Sequence, residues 1–92
     1  MTKYQIERTN RFKREYRLAK RRGQDVGRLH RIIFLLANGD SPPPECNDHA
    51  LTGDYIGCRE CHIAPDWLLI YQITEDEFIL LLIRTGSHSD LF

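Results

Sequence analysis

The sequence predicts an α+β fold of the order β-α-α-β-β-β, with a helical hairpin packed on one face of a mostly antiparallel sheet. Two stretches before residue 40 repeat their apolar residues at helical spacing. Three stretches after residue 54 are rich in aromatic and branched residues and are bounded by turn formers. A proline-rich joint, Asp40-Ser41-Pro42-Pro43-Pro44-Glu45, separates the two regimes and reads as a stiff, extended linker.

In chain order, residues 3–8 alternate polar and apolar, as an edge strand does. Asn10 is placed to cap a helix running to about Arg22, with Phe12, Tyr16 and Ala19 on one face and Gly23 ending it. Asp25 opens a second helix, whose apolar stripe is Val26, Leu29, Ile32, Ile33 and Leu36, with Gly39 at its C-terminal cap. So short a connection makes the two helices an antiparallel hairpin. Strands are expected over Tyr55–Ile63, Trp67–Thr74 and Phe78–Thr85, with hairpin turns at residues 64–66 and 75–77. The last run is apolar on both parities, which predicts a central strand shielded on both faces. The tail from Gly86 to Phe92 is too short for an element of its own.

Ninety-two residues suffice for a single domain, 1–92, with one modest core. An active site here would be a shallow groove, better suited to a polymer than to a small metabolite. No apolar run follows the N-terminus as in a signal peptide, and the longest apolar stretch, Phe78 to Ile83, falls far short of the roughly 20 residues needed to span a membrane. Three cysteines cannot all pair. The expected setting is the cytoplasm, without a membrane.

The formal net charge of zero hides segregation. Residues 1–34 hold eleven Lys/Arg against three acidic residues, a net of +8; the rest hold two against ten, a net of −8. Such asymmetry suggests a basic face that meets a polyanion. Lys13, Arg14, Arg17, Lys20, Arg21 and Arg22 crowd the first helix. A merely solvated helix surface is the plainer alternative.

Cys58-Arg59-Glu60-Cys61-His62 matches the c-type haem attachment string, but it lies inside a strand pattern with no export signal. Cys46-x-x-His49 followed by Cys58-x-x-Cys61 has the spacing of a zinc ribbon. Residues three apart in a strand point to opposite faces, so Cys58 and Cys61 should diverge, with Cys61 a small core hydrophobe.

Of four histidines, His30 lies on the second helix and reads as surface or structural. His49, His62 and His88 all lie close to element ends, where one sheet edge can gather them. Imidazole, with an unperturbed pKa of about 6.5, can accept one proton and donate another near neutral pH. RNA cleavage needs both: the 2′-hydroxyl loses a proton as it attacks phosphorus, and the leaving 5′-oxygen gains one. Arg84, near His88, is placed to stabilise the extra phosphoryl charge. Asp66 and Glu60 are candidate proton acceptors or groups that orient an imidazole, and Glu60 shares strand parity with His62. Asp66 also reads as a turn residue, Trp67 as core, and Asp48 as a turn cap.

Three blocks carry a resemblance: Asp48-His49-x-Leu51-x-Gly53; Gly57 to Tyr71, with Pro65-Asp66-Trp67; and Arg84-Thr85-Gly86-x-His88-Ser89-Asp90-Leu91-Phe92. With Phe12 to Tyr16 and Ala19 to Gly23, the chain resembles the YafQ branch of the RelE-like (RelE/ParE) toxins of bacterial toxin–antitoxin systems over nearly its whole length. The resemblance implies a RelE-like fold and a ribosome-dependent mRNA endonuclease that works in the decoding site without metal or cofactor. It implies His49, His62, Asp66 and His88 as the acid–base set, supported by Trp67, Arg84, Phe92 and the acidic Glu60. The basic helix would then grip ribosomal RNA through phosphates. The implied partner is a DinJ-like ribbon–helix–helix antitoxin, through which alone operator DNA would be met. A non-catalytic RNA- or ribosome-binding module, a zinc-ribbon-like module and a degenerate toxin remain the competing expectations.

Overall fold

The computed structural model describes residues 2–92. Strand β1 (Gln5–Arg8) leads into helices α1 (Asn10–Arg21) and α2 (Val26–Ala37), followed by strands β2 (His49–Ala50), β3 (Arg59–Ala64), β4 (Trp67–Thr74) and β5 (Ile79–Gly86) and a short helix α3 (His88–Leu91). The five strands form one sheet in the order β1-β5-β4-β3-β2. The β2–β3, β3–β4 and β4–β5 pairs are antiparallel, and β1 joins β5 in parallel.

The helices form where the apolar spacing places them, and both end alike. Gly23 and Gly39 take positive φ (81° and 84°), and backbone bonds from Gly23 N to Lys20 O and Gln24 N to Ala19 O close α1. Gly39 N to Leu36 O and Asp40 N to Leu35 O close α2 in the same way. This is the bond pattern a left-handed residue allows just past a helix, and it satisfies carbonyls that would otherwise have no partner. At the start of α1 the cap is Thr9 rather than Asn10: the Thr9 hydroxyl accepts from Phe12 N at 3.0 Å and donates to Ile83 O at 2.7 Å. Asp25 caps α2, its carboxylate accepting from Arg28 N.

Alternation on the strands sorts two apolar clusters onto the two faces of the sheet. Phe12, Ala19, Leu29, Ile32 and Leu36 of the helices pack with Cys61, Ile63, Trp67, Leu69, Tyr71, Leu80 and Leu82. On the opposite face a smaller cluster joins Cys58, Leu68, Ile70 and Leu91. The strand buried on both faces is therefore β4, over Trp67–Tyr71, rather than β5 as its apolar run suggested. In β5, Leu80 and Leu82 are buried while Leu81 and Ile83 are half-buried. Alternate shielding of this kind suits a strand whose second face is covered only at one end.

Four local features differ from the expectation. Pro44–Cys46 forms a 3-10 turn at the end of the extended linker. The strand expected from Tyr55 begins at Arg59, because Gly53–Tyr55 also forms a 3-10 turn and Gly57 has positive φ. Phe78, at φ 56°, belongs to the turn before β5. The tail does form an element: Ser87 accepts from Asp90 N at 3.2 Å while the Asp90 carboxylate accepts from Ser87 N at 3.1 Å, a reciprocal cap that supports the single turn of α3. Among the described residues, no helix is long and apolar enough to cross a membrane.

Candidate active site

The three strand-region histidines converge on the face opposite the helical hairpin. Glu60 pairs with Ile70 and His62 with Leu68 across β3–β4, and directly opposed residues share a face with the cluster that includes Leu91. His49 pairs with Glu60 across β2–β3. His88 opens α3, whose Leu91 is anchored in the same cluster. The His49 and His62 rings lie 6.4 Å apart between centroids, and those of His62 and His88 5.7 Å apart, so His62 is the middle member.

Each imidazole has its Nδ1 beside an acceptor. His49 Nδ1 is 2.7 Å from the Asn47 carbonyl, and His62 Nδ1 is 3.2 Å from the Cys46 carbonyl. His88 Nδ1 lies 3.5 Å from Asp66 Oδ1, and the same carboxylate oxygen accepts from His88 N at 3.3 Å. A carbonyl oxygen can only accept, so the Nδ1 of His49 and of His62 carries the proton. Their Nε2 atoms are then the reactive ones. Glu60 is buried, and its Oε1 lies 3.6 Å from His49 Nε2. His49, His88 and Asp66 reach solvent, which is what a groove for a polymer needs.

Glu60, His62 and His88 each offer one ligand atom, all within 4.8 Å of one another. Two imidazole nitrogens and a carboxylate oxygen suit a zinc or copper ion. The cysteines are arranged otherwise: Cys61 sits in the core under the helices, Cys58 in the cluster on the other face. The zinc-ribbon reading fails on this divergence. Cys61 lies beside Cys46, and burial above all pushes its thiol pKa well above the ordinary value.

Two supporting residues sit in the packed interior. Arg84 is 7% exposed; its Nη2 donates to Glu15 Oε2 at 2.6 Å and Nε to Glu15 Oε1 at 3.2 Å. It also donates to the Tyr55 hydroxyl and the Asp90 carbonyl. The bond to Glu15 holds its pKa even higher than usual. A guanidinium so committed ties α1 to the tail, whereas the expectation from the sequence had it stabilise phosphoryl charge. Trp67 is 2% exposed and belongs to the core, as its plainer reading from the sequence had it, and its indole Nε1 is buried without a hydrogen-bond partner among the described residues. Phe92, by contrast, is exposed and meets Tyr55 edge to face at 6.0 Å.

Lys13, Arg14, Arg17, Lys20, Arg21 and Arg22 are all exposed, the first five on α1 and Arg22 as its cap. Arg22 forms a surface pair with Asp90 at 3.3 Å. His30 is an exposed α2 residue that stacks on Tyr16 and shares a 2.9 Å hydrogen bond with its hydroxyl, apart from the histidine cluster. Sequence reasoning passed over Glu15 and Tyr55, which hold Arg84, and took Asp48 for a turn cap. Asp48 instead joins Arg59 and the buried Tyr71.

Comparison with known proteins places this chain in a family. The model for the bacterial toxin of type II toxin–antitoxin systems, YafQ, matches residues 4–92. The chain belongs to that family. The mRNA interferase toxin YafQ of Escherichia coli strain K12 is 37% identical over 93 residues, covering 100% of this chain and 99% of the relative. A metal-bound toxin from Helicobacter pylori has a crystal structure that superposes with a TM-score of 0.91 at 38% identity, with 100% of each chain covered. The toxin in the E. coli DinJ–YafQ toxin–antitoxin complex superposes at 0.88 with 36% identity, covering 98% of both chains. Likeness at this level in both sequence and structure supports the α+β, RelE-like reading of the fold.

Proposed function

We propose that this family member is an mRNA interferase: a ribosome-dependent endoribonuclease that cuts translated mRNA in the decoding site by attack of the 2′-hydroxyl on the adjacent phosphorus. The observation that carries the reading is the row of three imidazoles, each with Nδ1 beside an acceptor. His49 Nε2 takes the proton of the 2′-hydroxyl, and His88 Nε2 gives one to the departing 5′-oxygen. Asp66 accepts from the His88 backbone N–H and lies beside His88 Nδ1, which holds the ring in place for that transfer. His62, between them, donates from Nε2 to the phosphoryl oxygens when protonated, the task first assigned to Arg84. Glu60, whose Oε1 lies 3.6 Å from His49 Nε2, stabilises that nitrogen once it has taken the proton and balances charge within the cluster. Phe92 is the exposed aromatic available to a base.

The six cations of α1 and its cap supply contacts to ribosomal RNA phosphates, which are independent of sequence. An antitoxin of the DinJ type, a ribbon–helix–helix protein, silences the toxin and alone brings it to operator DNA. The E. coli relative carries the name of an mRNA interferase and is seen with DinJ, which supports both proposals. A zinc or copper ion on Glu60, His62 and His88 would occupy nitrogens that the proton transfers require. Cleavage is therefore expected to persist in excess EDTA.

The deciding experiment maps mRNA 5′ ends after induction, for the natural chain and for His62→Ala and His88→Ala. Codon-phased cuts that vanish in both variants support the proposal. Growth arrest without such cuts, unchanged in His88→Ala, would mean a module that binds without cleaving. Neither arrest nor cuts would mean a toxin that has lost its activity.

A further inference from the structure

We infer that Asp48 is a positioning residue that sets the tautomers of His49 and His62 by anchoring the turn whose carbonyls hold them. The inference rests on the acid–base reading of those histidines. The Cys46 and Asn47 carbonyls are successive, and each accepts from one of the two Nδ1 atoms. The second belongs to the peptide bond that joins Asn47 to Asp48. Any displacement of Asp48 therefore moves the acceptor of His49 directly and that of His62 one peptide away.

On its Cys46 side that turn is fixed by burial of Cys46 in the core and by the bonds from Cys46 N to Pro43 O and Asn47 N to Pro44 O; on its Asp48 side it has less to hold it. Asn47 lies in the left-handed region at φ 47°, which a non-glycine residue adopts only where its surroundings impose it. Strand β2 is two residues long and pairs with β3 at just His49↔Glu60 and Ala50↔Arg59. Asp48 compensates with two charge-assisted bonds. Its Oδ1 accepts from Arg59 Nε at 2.6 Å, and its Oδ2 accepts from the hydroxyl of Tyr71, which is 2% exposed. Arg59 and Tyr71 are themselves partners across β3–β4, so the carboxylate clips the turn to the stiffest part of the sheet. Its side chain is 14% exposed, so water competes weakly for it.

Histidine-selective 15N labelling tests this, because long-range proton–nitrogen spectra report which ring nitrogen is protonated. In the natural protein His49 and His62 are expected as Nδ1–H tautomers when neutral; the Nε2–H form at either would overturn the proposal. In Asp48→Ala both should become tautomer mixtures, with turnover of RNA down roughly 100-fold and KM within about 2-fold. Asp48→Asn, which keeps one acceptor, should restore part of the loss. Tyr71→Phe removes one donor at little cost in shape and should give a smaller loss of the same kind, so the test survives if Asp48→Ala fails to fold. A merely structural role would lower stability and leave the tautomers of the folded fraction unchanged, and that result would sink the idea. Absence of RNA cleavage by the natural chain would refute the proposed function instead, since the tautomers are read without substrate.

Discussion

Alternate residues of β3 face two different environments. Cys61 and Ile63 are 0% exposed beneath the helices, in a dry apolar layer. Glu60 and His62 face the other way, where a short helix and an irregular segment cover only part of the sheet. One face thus carries cohesion and the other carries the candidate site. The contrast teaches that a small fold can keep ionisable groups at its sheet without burying them in its main core, since the pleat alone separates the two.

The sharpest test of this division removes site imidazoles. His62→Ala and His88→Ala should each lower cleavage by a factor of about 100 to 10,000 while the melting temperature stays within a few degrees, measured by RNA cleavage assay and circular dichroism. The converse change is Leu69→Ala, on the helix side at 0% exposure. It should cost about 2–5 kcal/mol in chemical denaturation and leave the cleavage rate of the folded fraction near normal.

Leu91→Ala should break the division, because this residue belongs to the smaller cluster and to the helix that carries His88. A loss of about 2–3 kcal/mol is expected together with reduced turnover. Ser87→Ala removes one half of the reciprocal cap on the same helix and should cost about 1 kcal/mol, again with some loss of turnover but none of RNA affinity. The last effect appears only at alkaline pH. Burial is the main cause that raises the Cys61 and Tyr71 pKa values above their ordinary values of 9.0 and 10.0. The unfolded chain therefore ionises first; the stabilising contribution is complete below those ordinary values and is lost as pH rises through the folded ones. Cys61→Ala should flatten the fall in stability that begins near pH 9, as followed by urea titration at several pH values.

The helices, their glycine ends and four of the strands were legible because period and turn chemistry are local properties. The parallel place of β1 beside β5 was not, since nothing in Gln5–Arg8 names a partner 74 residues away. For the same reason the two residues of β2 were invisible: they pair through position rather than propensity. At the site, strand parity anticipated that Cys58 and Cys61 would part and that Glu60 would accompany His62. It could not tell a free arginine from a committed one. Arg84 reads as a phosphate ligand until Glu15, 69 residues earlier, is found holding it. Asp48 was visible as a residue beside His49, but its grip on Tyr71 depends on register.

The parallel β1–β5 pair also sets an order of assembly. A strand made first must wait for the strand made last, and closing so long a loop is entropically the most demanding step of the fold. His88 follows directly after β5 in the chain. During synthesis, therefore, the sheet and the histidine row are completed together and late.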